Sequence, residues 1–442
     1  MASPQYRAYT ARNFREIPQL ADWPESALKE IETVSRVLPF KTNNYVIDEL
    51  IDWNDVPVDP MYTLNFPRHE LLKAPHYRKM AKAVENGSPE HHLKAVARSI
   101  QLELNPDASG QSANVPLLNG HRVSGAQHKY RETVLFFPQA GQTCHAYCTF
   151  CFRWPQFSGL SHSRFSGRES GALAEYLKLH PKVTDLLITG GDPMIMKART
   201  LAEYLEPFLT DELPHLKTIR IGTKTLAYWP YRYLTDSDSD DILRLFEKVA
   251  ASGRTLAIMA HFNHPVELST EAVRKAIARI QATGAQIRTQ SPLLRHINDK
   301  PELWSRMWRK QVDFNCIPYY MFVERDTGAK HFFAVPLERC WQIFRHAYQK
   351  VSGICRTVRG PVMSATPGKV QILGVTEVAD EKVFALQFIQ GRNADWVGRP
   401  FFARYDKNAT WLNGLRPAFG EHRFFFENEL KGLLLAKMQP MG

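Results

Sequence analysis

The sequence predicts an α/β protein, organised as a partial (β/α)6 TIM-like barrel with a helical N-terminal region and a small β-rich C-terminal appendage. The first supporting observation is that six short apolar runs alternate with stretches of helical period between residue 133 and about residue 350. Such alternation is typical of parallel strands joined by right-handed crossovers. The second is that polar motifs follow several runs, as expected where chemistry gathers at the C-terminal ends of barrel strands. An open six-stranded sheet or a closed eight-stranded barrel would give a similar alternation of strands and helices along the chain.

Three parts are expected along the 442 residues. Residues 1–126 lack alternating strands, and their pattern predicts helices at residues 25–37, 71–84 and 91–101 and turns across the prolines of residues 54–75. We interpret this part as a cap around the barrel. Residues 127–372 form the barrel, with strands at residues 133–137, 185–189, 218–222, 256–260, 286–289 and 314–320. Residues 373–442 form the appendage, with strand-like aromatic runs at residues 383–389 and 424–426.

Composition narrows the class of protein. Lysine and arginine total 56 against 45 acidic residues, but the positive charges are spread along the chain, so a nucleic-acid partner is not expected. A diffuse basic surface or an anion-binding pocket accounts better for the excess. No stretch of about 18 apolar residues occurs, and the N-terminus has no apolar run, so neither a membrane span nor a signal peptide is expected. Three of the six cysteines share one loop, which favours a reducing, cytoplasmic location.

That loop is the most informative stretch of the chain. Cys144, Cys148 and Cys151 have the spacing C-x3-C-x2-C and directly follow the first predicted strand. Thiolates are soft ligands, and three of them on one loop can hold three corners of an iron–sulfur cluster. The fourth iron would then have open coordination positions and could bind a small molecule. The pattern therefore predicts a reactive 4Fe–4S cluster.

A zinc site is the main alternative for these cysteines. Structural zinc takes four protein ligands, and Cys316, Cys340 and Cys355 form no second pair at zinc-site spacing. His145 is adjacent to Cys144, so binding the same metal would strain the loop. Spacing, count and expected compartment favour the cluster over zinc.

Further motifs follow the later strands and carry a family resemblance. They are Gly190-Gly191-Asp192 after the second strand, His261-Phe262-Asn263-His264-Pro265 after the fourth, Gln290-Ser291-Pro292-Leu293-Leu294-Arg295 after the fifth, and Pro318-Tyr319-Tyr320 at the end of the sixth. With the cysteine loop, they make residues 38–373 similar to the radical S-adenosylmethionine superfamily and, within it, to the lysine 2,3-aminomutase family. Taken alone, a Gly-Gly turn is weak evidence, and His261 and His264 could be a zinc pair or packed structural residues.

The resemblance implies a cofactor set and its residues. It implies that S-adenosylmethionine binds the open iron of the cluster held by the three cysteines, and that its cleavage yields a 5′-deoxyadenosyl radical. The residues it places near S-adenosylmethionine are Phe150, Gly190, Gly191, Asp192, His261 and Gln290. It also implies a flavodoxin or ferredoxin type of reductant.

Aminomutases of this family use pyridoxal 5′-phosphate, which requires a lysine for covalent attachment and a cationic phosphate site. The resemblance assigns the attachment to Lys369, the phosphate to Lys129 and Tyr130, and the substrate carboxylate to Arg153. At two positions the sequence departs from the family pattern in ways that affect the expected binding of pyridoxal phosphate. Thr133 stands where the family has a second basic residue, and the family's glycine run before the lysine is reduced here to Gly368. Lys369 as an ordinary loop lysine is the alternative.

The residues expected to face the substrate side chain differ from those of lysine 2,3-aminomutase. Arg325 occupies a position at which lysine 2,3-aminomutase has an aspartate toward the distal ammonium, although Asp326 is adjacent. Tyr320, at the end of the sixth strand, is expected to contact the substrate as well. An arginine suits an acidic or polar side chain, which places glutamate and aspartate beside lysine as candidate substrates.

The predicted activity is a radical 2,3-amino migration in an amino acid. The alternatives are a radical transformation without pyridoxal phosphate, such as epimerisation, dehydrogenation or fragmentation, and modification of a lysine on a protein. An iron–sulfur redox protein is the alternative outside the enzymes. The sequence leaves the oligomeric state open, with a homo-oligomer among the expectations.

Overall fold

The N-terminal part of the chain is mainly helical. The computed structural model describes residues 4–104, 114–158, 166–168 and 170–438. The helices of this part are α1 Glu25–Ser35, α2 Pro60–Asn65, α3 Ala74–Glu85 and α4 Glu90–Leu104. The predicted helices correspond to α1, α3 and α4, whereas α2 lies in the proline-rich segment interpreted as turns. Two small antiparallel pairs accompany them, β1 Ala8–Thr10 with β2 Lys41–Asn43 and β3 Leu117–Leu118 with β4 His121–Arg122.

A block of seven parallel strands forms the barrel wall. After the short strand β5 Ala126–Tyr130, these strands are β6 Thr133–Phe136, β7 Asp185–Ile188, β8 Thr218–Thr223, β9 Thr255–His261, β10 Gln286–Leu293, β11 Ile317–Val323 and β12 Arg359–Ser364. Six of them are the predicted ones, and β12 is an additional parallel strand. Gly360 and Pro361 within β12 weaken its strand signal.

Helices connect the parallel strands and cover the outside of the wall. They are α5 Trp154–Phe157, α6 Gly171–Lys178, α7 Ala198–Leu205, α8 Thr225–Tyr228, α9 Ser239–Ala251, α10 Glu271–Ala282, α11 Pro301–Asp313, α12 Lys330–Phe333 and α13 Leu337–Gln349. Each long helix buries one apolar face. For example, Phe246 and Val249 on α9 and Ile277 and Ile280 on α10 recur at helical spacing and are buried.

The C-terminal part extends the same sheet. The strands β13 Gly368–Val378, β14 Glu381–Gly391 and β15 Pro400–Arg404 add to β12 in antiparallel order, and β5 pairs antiparallel with β6 at the other end. The resulting eleven-stranded sheet runs from β15 to β5 without closing, so the prediction of a partial barrel in an α/β protein is confirmed. The expected boundary at residues 372 and 373 falls inside β13, and the division into three parts stays a prediction.

One expected strand is wrong. Phe424 to Phe426 form a turn that leads into α14 Glu427–Met438, and their rings pack on Phe388 and Phe401. An aromatic run can be buried from a turn as well as from a strand, so composition alone misassigned it. Within the described residues, no helix has the length and apolar character needed to cross a bilayer.

Candidate active site

One cavity of about 350 Å³ lies inside the curved sheet and is lined by every residue to which the sequence analysis assigned a role. These are the three cysteines, Phe150, Arg153, Gly190, Gly191, Asp192, His261, Gln290, Lys129, Tyr130, Tyr320, Arg325 and Lys369. The structure thus brings the predicted site residues together in one cavity. The role assigned to each residue stays a prediction.

The cysteine loop follows β6 and is held by the N-terminal cap. Lys41 Nζ donates a 2.7 Å hydrogen bond to the carbonyl oxygen of Cys144, and Tyr6 Oη donates one of 2.7 Å to that of His145. Asn43 also donates to the His145 carbonyl, at 3.2 Å. The cap therefore fixes the backbone from which the thiols project, a role that the sequence did not reveal.

The three loop thiols suit an iron–sulfur cluster. None of the six cysteines forms a disulfide, and the three loop cysteines are half-buried along the cavity. Burial raises the pKa of Cys148 to about 11 and that of Cys151 to about 12, so the thiolates need a compensating positive charge, which cluster iron provides. His145 points elsewhere, since its Nδ1 lies 3.1 Å from Thr225 Oγ1.

The Gly190-Gly191-Asp192 turn packs directly on the chain that enters the cysteine loop. A Cβ atom on Gly191 would lie 2.5 Å from the carbonyl oxygen of Thr143, so only glycine fits there. The Asp192 amide donates to the same carbonyl oxygen at 2.7 Å. The turn and the cysteine loop therefore form one rigid unit.

The Asp192 side chain is engaged within the protein. Its carboxylate accepts hydrogen bonds from the backbone amides of Met194 and Lys224, at 3.0 and 2.9 Å. It also accepts from the hydroxyls of Thr223 and Thr225, at 2.7 and 2.9 Å. These bonds tie the end of β7 to the end of β8. Asp192 thus supports the shape of the site, whatever contact it makes with a ligand.

His261 presents an unpaired ring nitrogen to the cavity. The ring lies at the end of β9, 5.8 Å from the Phe150 ring, and Nε2 is buried without a hydrogen-bond partner among the described residues. Burial lowers the pKa of His261 well below its usual range, so the ring is neutral. Gln290 lies on the neighbouring strand β10 and is paired in register with His261. A neutral imidazole and an amide side by side suit the polar edge of a nucleoside.

A buried ion pair next to these residues was missed in the sequence. Lys224 Nζ contacts the Glu267 carboxylate and donates to Asn263 Oδ1 at 2.8 Å. His264 caps the following turn, since its Nδ1 accepts from the Val266 amide at 3.4 Å. Within the motif that begins at His261, His261 itself therefore lines the cavity, whereas Asn263 and His264 hold the loop that follows it.

Two arginines lie on the cavity wall beyond the cluster loop. The Arg153 guanidinium stacks 4.6 Å from the centre of the Phe137 ring, and that of Arg325 lies 5.0 Å from the centre of the Phe152 ring. Burial lowers the pKa of Arg153 to about 10, which leaves it charged at neutral pH. Glu324 also lines the cavity, and burial raises its pKa well above the usual range. This wall therefore brings two guanidinium groups and one carboxyl group to the cavity.

Lys369 lies where the two ends of the sheet face each other. Its Nζ is 4.7 Å from the centre of the Tyr320 ring and 5.6 Å from that of Tyr130, and it donates to Gln390 Oε1 at 2.6 Å. Burial lowers the pKa of Lys369 to about 7, and the charge of Arg220 acts in the same direction. The amine is therefore available as a nucleophile near neutral pH.

The site and the fold together define a class of protein. A parallel partial barrel that carries a C-x3-C-x2-C loop after its first parallel strand and a Gly-Gly-acid turn after its second is the arrangement of a radical S-adenosylmethionine enzyme.

Comparison with known proteins specifies the family. The chain is 32% identical over 403 residues to an Aquifex aeolicus protein named "Putative L-lysine 2,3-aminomutase", covering 90% of this chain and 94% of that protein. It is 29% identical over 321 residues to the L-lysine 2,3-aminomutase of Escherichia coli, covering 69% and 89%. This protein belongs to the lysine 2,3-aminomutase family, whose chemistry implies a 4Fe–4S cluster and S-adenosylmethionine.

The comparisons with family models and with solved structures do not specify the family further. No family model matches the chain. A radical SAM methyltransferase from Sphaerobacter thermophilus superposes with a TM-score of 0.36 at 14% identity, over 63% of this chain and 91% of that one. Streptococcus suis SuiB bound to the precursor peptide SuiA gives a TM-score of 0.36 at 11% identity, over 62% and 57%.

Proposed function

We propose that this protein catalyses a pyridoxal-phosphate-assisted 2,3-migration of the amino group of an α-amino acid. The observation that carries this proposal is that the Lys369 side chain and the three loop cysteines line one cavity. A radical initiator and a nucleophilic lysine in one enclosed space are what such a migration requires.

The residues at the cluster end fit the first cofactor pair. Cys144, Cys148 and Cys151 would hold three irons of the cluster, and His261 and Gln290 would bind S-adenosylmethionine. When bound, this pair supplies a 5′-deoxyadenosyl radical that removes a hydrogen atom from the substrate. Phe150 packs against His261 and closes the apolar side of the pocket. Phe150 is buried, and the cysteines, His261 and Gln290 are half-buried, so bound S-adenosylmethionine would complete the exclusion of water from the place where the radical would form.

Lys369 would hold pyridoxal phosphate through its amine. The pKa of about 7 leaves a large fraction of this amine neutral at physiological pH, as attack on an aldehyde requires. Gln390 accepts a hydrogen bond from Nζ and so orients it toward the cavity. The Tyr130 and Tyr320 rings flank the amine and would pack against the cofactor ring.

Arg153 and Arg325 would select the substrate. Arg153 is buried behind Cys151, so a carboxylate on it would lie close to the cluster end of the cavity. Arg325 would face the substrate side chain, which favours an acidic or polar one over the ammonium of lysine. Glutamate and aspartate are therefore the first candidate substrates, and lysine is the comparison.

The test uses the full chain after anaerobic reconstitution, with a chemical reductant or a flavodoxin or ferredoxin. Deuterated amino acids are supplied with S-adenosylmethionine, and deuterium in 5′-deoxyadenosine and β-amino acid products are measured by mass spectrometry. Borohydride reduction with peptide mapping should place a pyridoxyl group on Lys369. The matched variants are Lys369→Ala and, on the exposed face of the same sheet, Lys382→Ala. Activity retained by Lys369→Ala, with no pyridoxyl label in the parent, would instead support a radical reaction without pyridoxal phosphate.

A further inference from the structure

We propose that Arg392, together with Lys129 and Gln127, forms the site that binds the phosphate monoester of the cofactor. The inference deepens the proposed function and rests on it, because it takes pyridoxal phosphate as the ligand. Arg392 lies in the C-terminal part of the chain, to which the sequence analysis assigned no chemistry.

Arg392 directly follows β14 and is hydrogen-bonded to two residues of the cavity wall. Its Nε donates a 2.9 Å hydrogen bond to the carbonyl oxygen of Thr366, and its Nη2 donates one of 2.7 Å to Asn114 Oδ1. Thr366 and Asn114 both line the cavity. Two edges of the guanidinium are thus anchored, and no partner for Nη1 occurs among the described residues. Arginine is suited to such a site because its planar donors match phosphate oxygens.

Lys129 lies beside this guanidinium on β5. Its Nζ contacts the carbonyl oxygen of Ala365, the residue before Thr366, and lies 5.3 Å from the centre of the Tyr130 ring. Besides burial, the charges of Arg392, Arg325 and Lys369 lower the pKa of Lys129. Within the described parts of the chain, neither Lys129 nor Arg392 is ion-paired with a carboxylate. Buried positive charge without a counter-charge is costly, and a doubly charged phosphate would offset that cost.

Gln127 is the independent sign of a ligand. It lies two residues before Lys129 on β5 and, like Lys129, lines the cavity; its exposure is 8%. Its buried Nε2 has no hydrogen-bond partner in the part of the chain that the structure describes. A buried amide donor without a partner is destabilising, so an acceptor at this position would stabilise the fold.

The position of the site matches one small cofactor. Lys129 Nζ and Lys369 Nζ both lie within 5.6 Å of the centre of the Tyr130 ring. One end of a pyridoxal-sized molecule could therefore reach Lys369 while its phosphate meets Lys129, Arg392 and Gln127. The donors come from two places in the chain, Gln127 and Lys129 from β5 and Arg392 from the residue after β14, so an anion between them would be held from two elements.

The experiment compares two aldehydes that differ only in the phosphate. The full chain is titrated with pyridoxal phosphate and with pyridoxal, followed by absorbance and by borohydride trapping on Lys369. The variants are Arg392→Gln, Gln127→Leu and the control Arg399→Gln, whose guanidinium stacks on Phe425. Losing charge-assisted hydrogen bonds should weaken pyridoxal phosphate binding about 10- to 100-fold in Arg392→Gln, while binding of pyridoxal changes less than about twofold.

The outcomes separate this inference from the proposed function. Unchanged preference for the phosphorylated aldehyde in both Arg392→Gln and Gln127→Leu would overturn the phosphate site and leave the role of Lys369 intact. Failure of the parent protein to trap either aldehyde on Lys369 would overturn the proposed function itself. Inorganic phosphate should compete with pyridoxal phosphate in the parent and much less in Arg392→Gln. Arg392→Lys, which keeps the charge, should retain part of the preference and guards against misfolding of the glutamine variant.

Discussion

Lys369 and Gln390 are register partners across the β13–β14 pair, and Lys369 Nζ donates a 2.6 Å hydrogen bond to Gln390 Oε1. Gln390 is a neutral acceptor, so it orients the amine without stabilising its protonated form as a carboxylate would. This is consistent with the low pKa of Lys369, about 7, which burial causes.

The first prediction is the pH dependence of cofactor attachment. Because the neutral amine is the nucleophile, the rate of pyridoxal phosphate capture should rise with pH through about 7 and level off above it. Gln390→Glu places a negative charge beside the ammonium, which raises the pKa of Lys369 and moves the midpoint upward. Stopped-flow absorbance across pH 5.5–9.5, a range chosen to bracket the expected pKa, measures this.

The control for this prediction is Gln387→Glu, on the same strand, whose parent side chain is bonded to Gln371. It should move the midpoint less than Gln390→Glu does. An equal shift in the two variants would mean that the local hydrogen bond does not control the amine.

The second prediction concerns the cluster ligands. Cys148→Ala should abolish the iron–sulfur absorbance after anaerobic reconstitution and the formation of 5′-deoxyadenosine, because two thiolates cannot replace three. Cys340→Ala removes an equally unoxidised but buried thiol on α13 and should retain both signals. Iron content, absorbance and chromatography of the nucleoside are the measurements. A Cys148→Ala protein that still cleaves S-adenosylmethionine would refute the assignment.

Sequence patterns predicted most of the barrel because its elements are local. Apolar runs and helical periods depend on neighbouring residues, so six parallel strands and the helices α1, α3 and α4 were predicted within a few residues of their ends. The strand β12 was missed because Arg359, Gly360 and Pro361 hide its apolar residues. The turn at Phe424 was misassigned because aromatic content does not specify backbone conformation.

The candidate site was predictable only where its residues form motifs. The cysteine loop is a short segment whose spacing indicates its chemistry, and the Gly190-Gly191 turn is informative because it follows a strand in the same chain. Arg392 and Asn114 are 278 positions apart in the chain and meet because the fold brings the segment before β5 close to the residues that follow β14. No local pattern encodes that meeting. The contact between Lys41 and the Cys144 carbonyl is likewise a product of tertiary structure.

The third prediction tests the support that the cap gives to the cysteine loop. Lys41→Met removes the donor to the Cys144 carbonyl and should lower the free energy of unfolding by about 1–3 kcal/mol. A looser loop should also release iron to a chelator several-fold faster. Urea unfolding and chelator kinetics measure the two effects, with Lys29→Met on the exposed face of α1 as the control. Iron release equal to that of the control would show that the cap does not stabilise the loop.

The fourth prediction concerns the buried Asp192 carboxylate. In Asp192→Asn the amide nitrogen would face donors such as the Lys224 backbone amide, so at least one acceptor site is lost. The free energy of unfolding should fall by about 1–3 kcal/mol. Asp211→Asn, at an exposed position, should leave it unchanged. Equal stability of Asp192→Asn and the parent in urea would mean that the network is not needed to hold the turn.

The fifth prediction separates the two arginines by what each one recognises. If Arg153 holds the carboxylate shared by all α-amino acids, Arg153→Lys should lower kcat/KM for every substrate by a similar factor, because lysine lacks the planar pair of donors.

If Arg325 faces the substrate side chain, Arg325→Asp should act selectively. It should lower kcat/KM for glutamate or aspartate by about 100-fold or more, through charge repulsion, while raising the value for lysine. Competition between deuterated glutamate and lysine in one reaction, with products measured by mass spectrometry, gives the ratio directly. A ratio that Arg325→Asp leaves unchanged would place Arg325 away from the substrate side chain, whereas a ratio shifted by Arg153→Lys would exchange the roles of the two arginines.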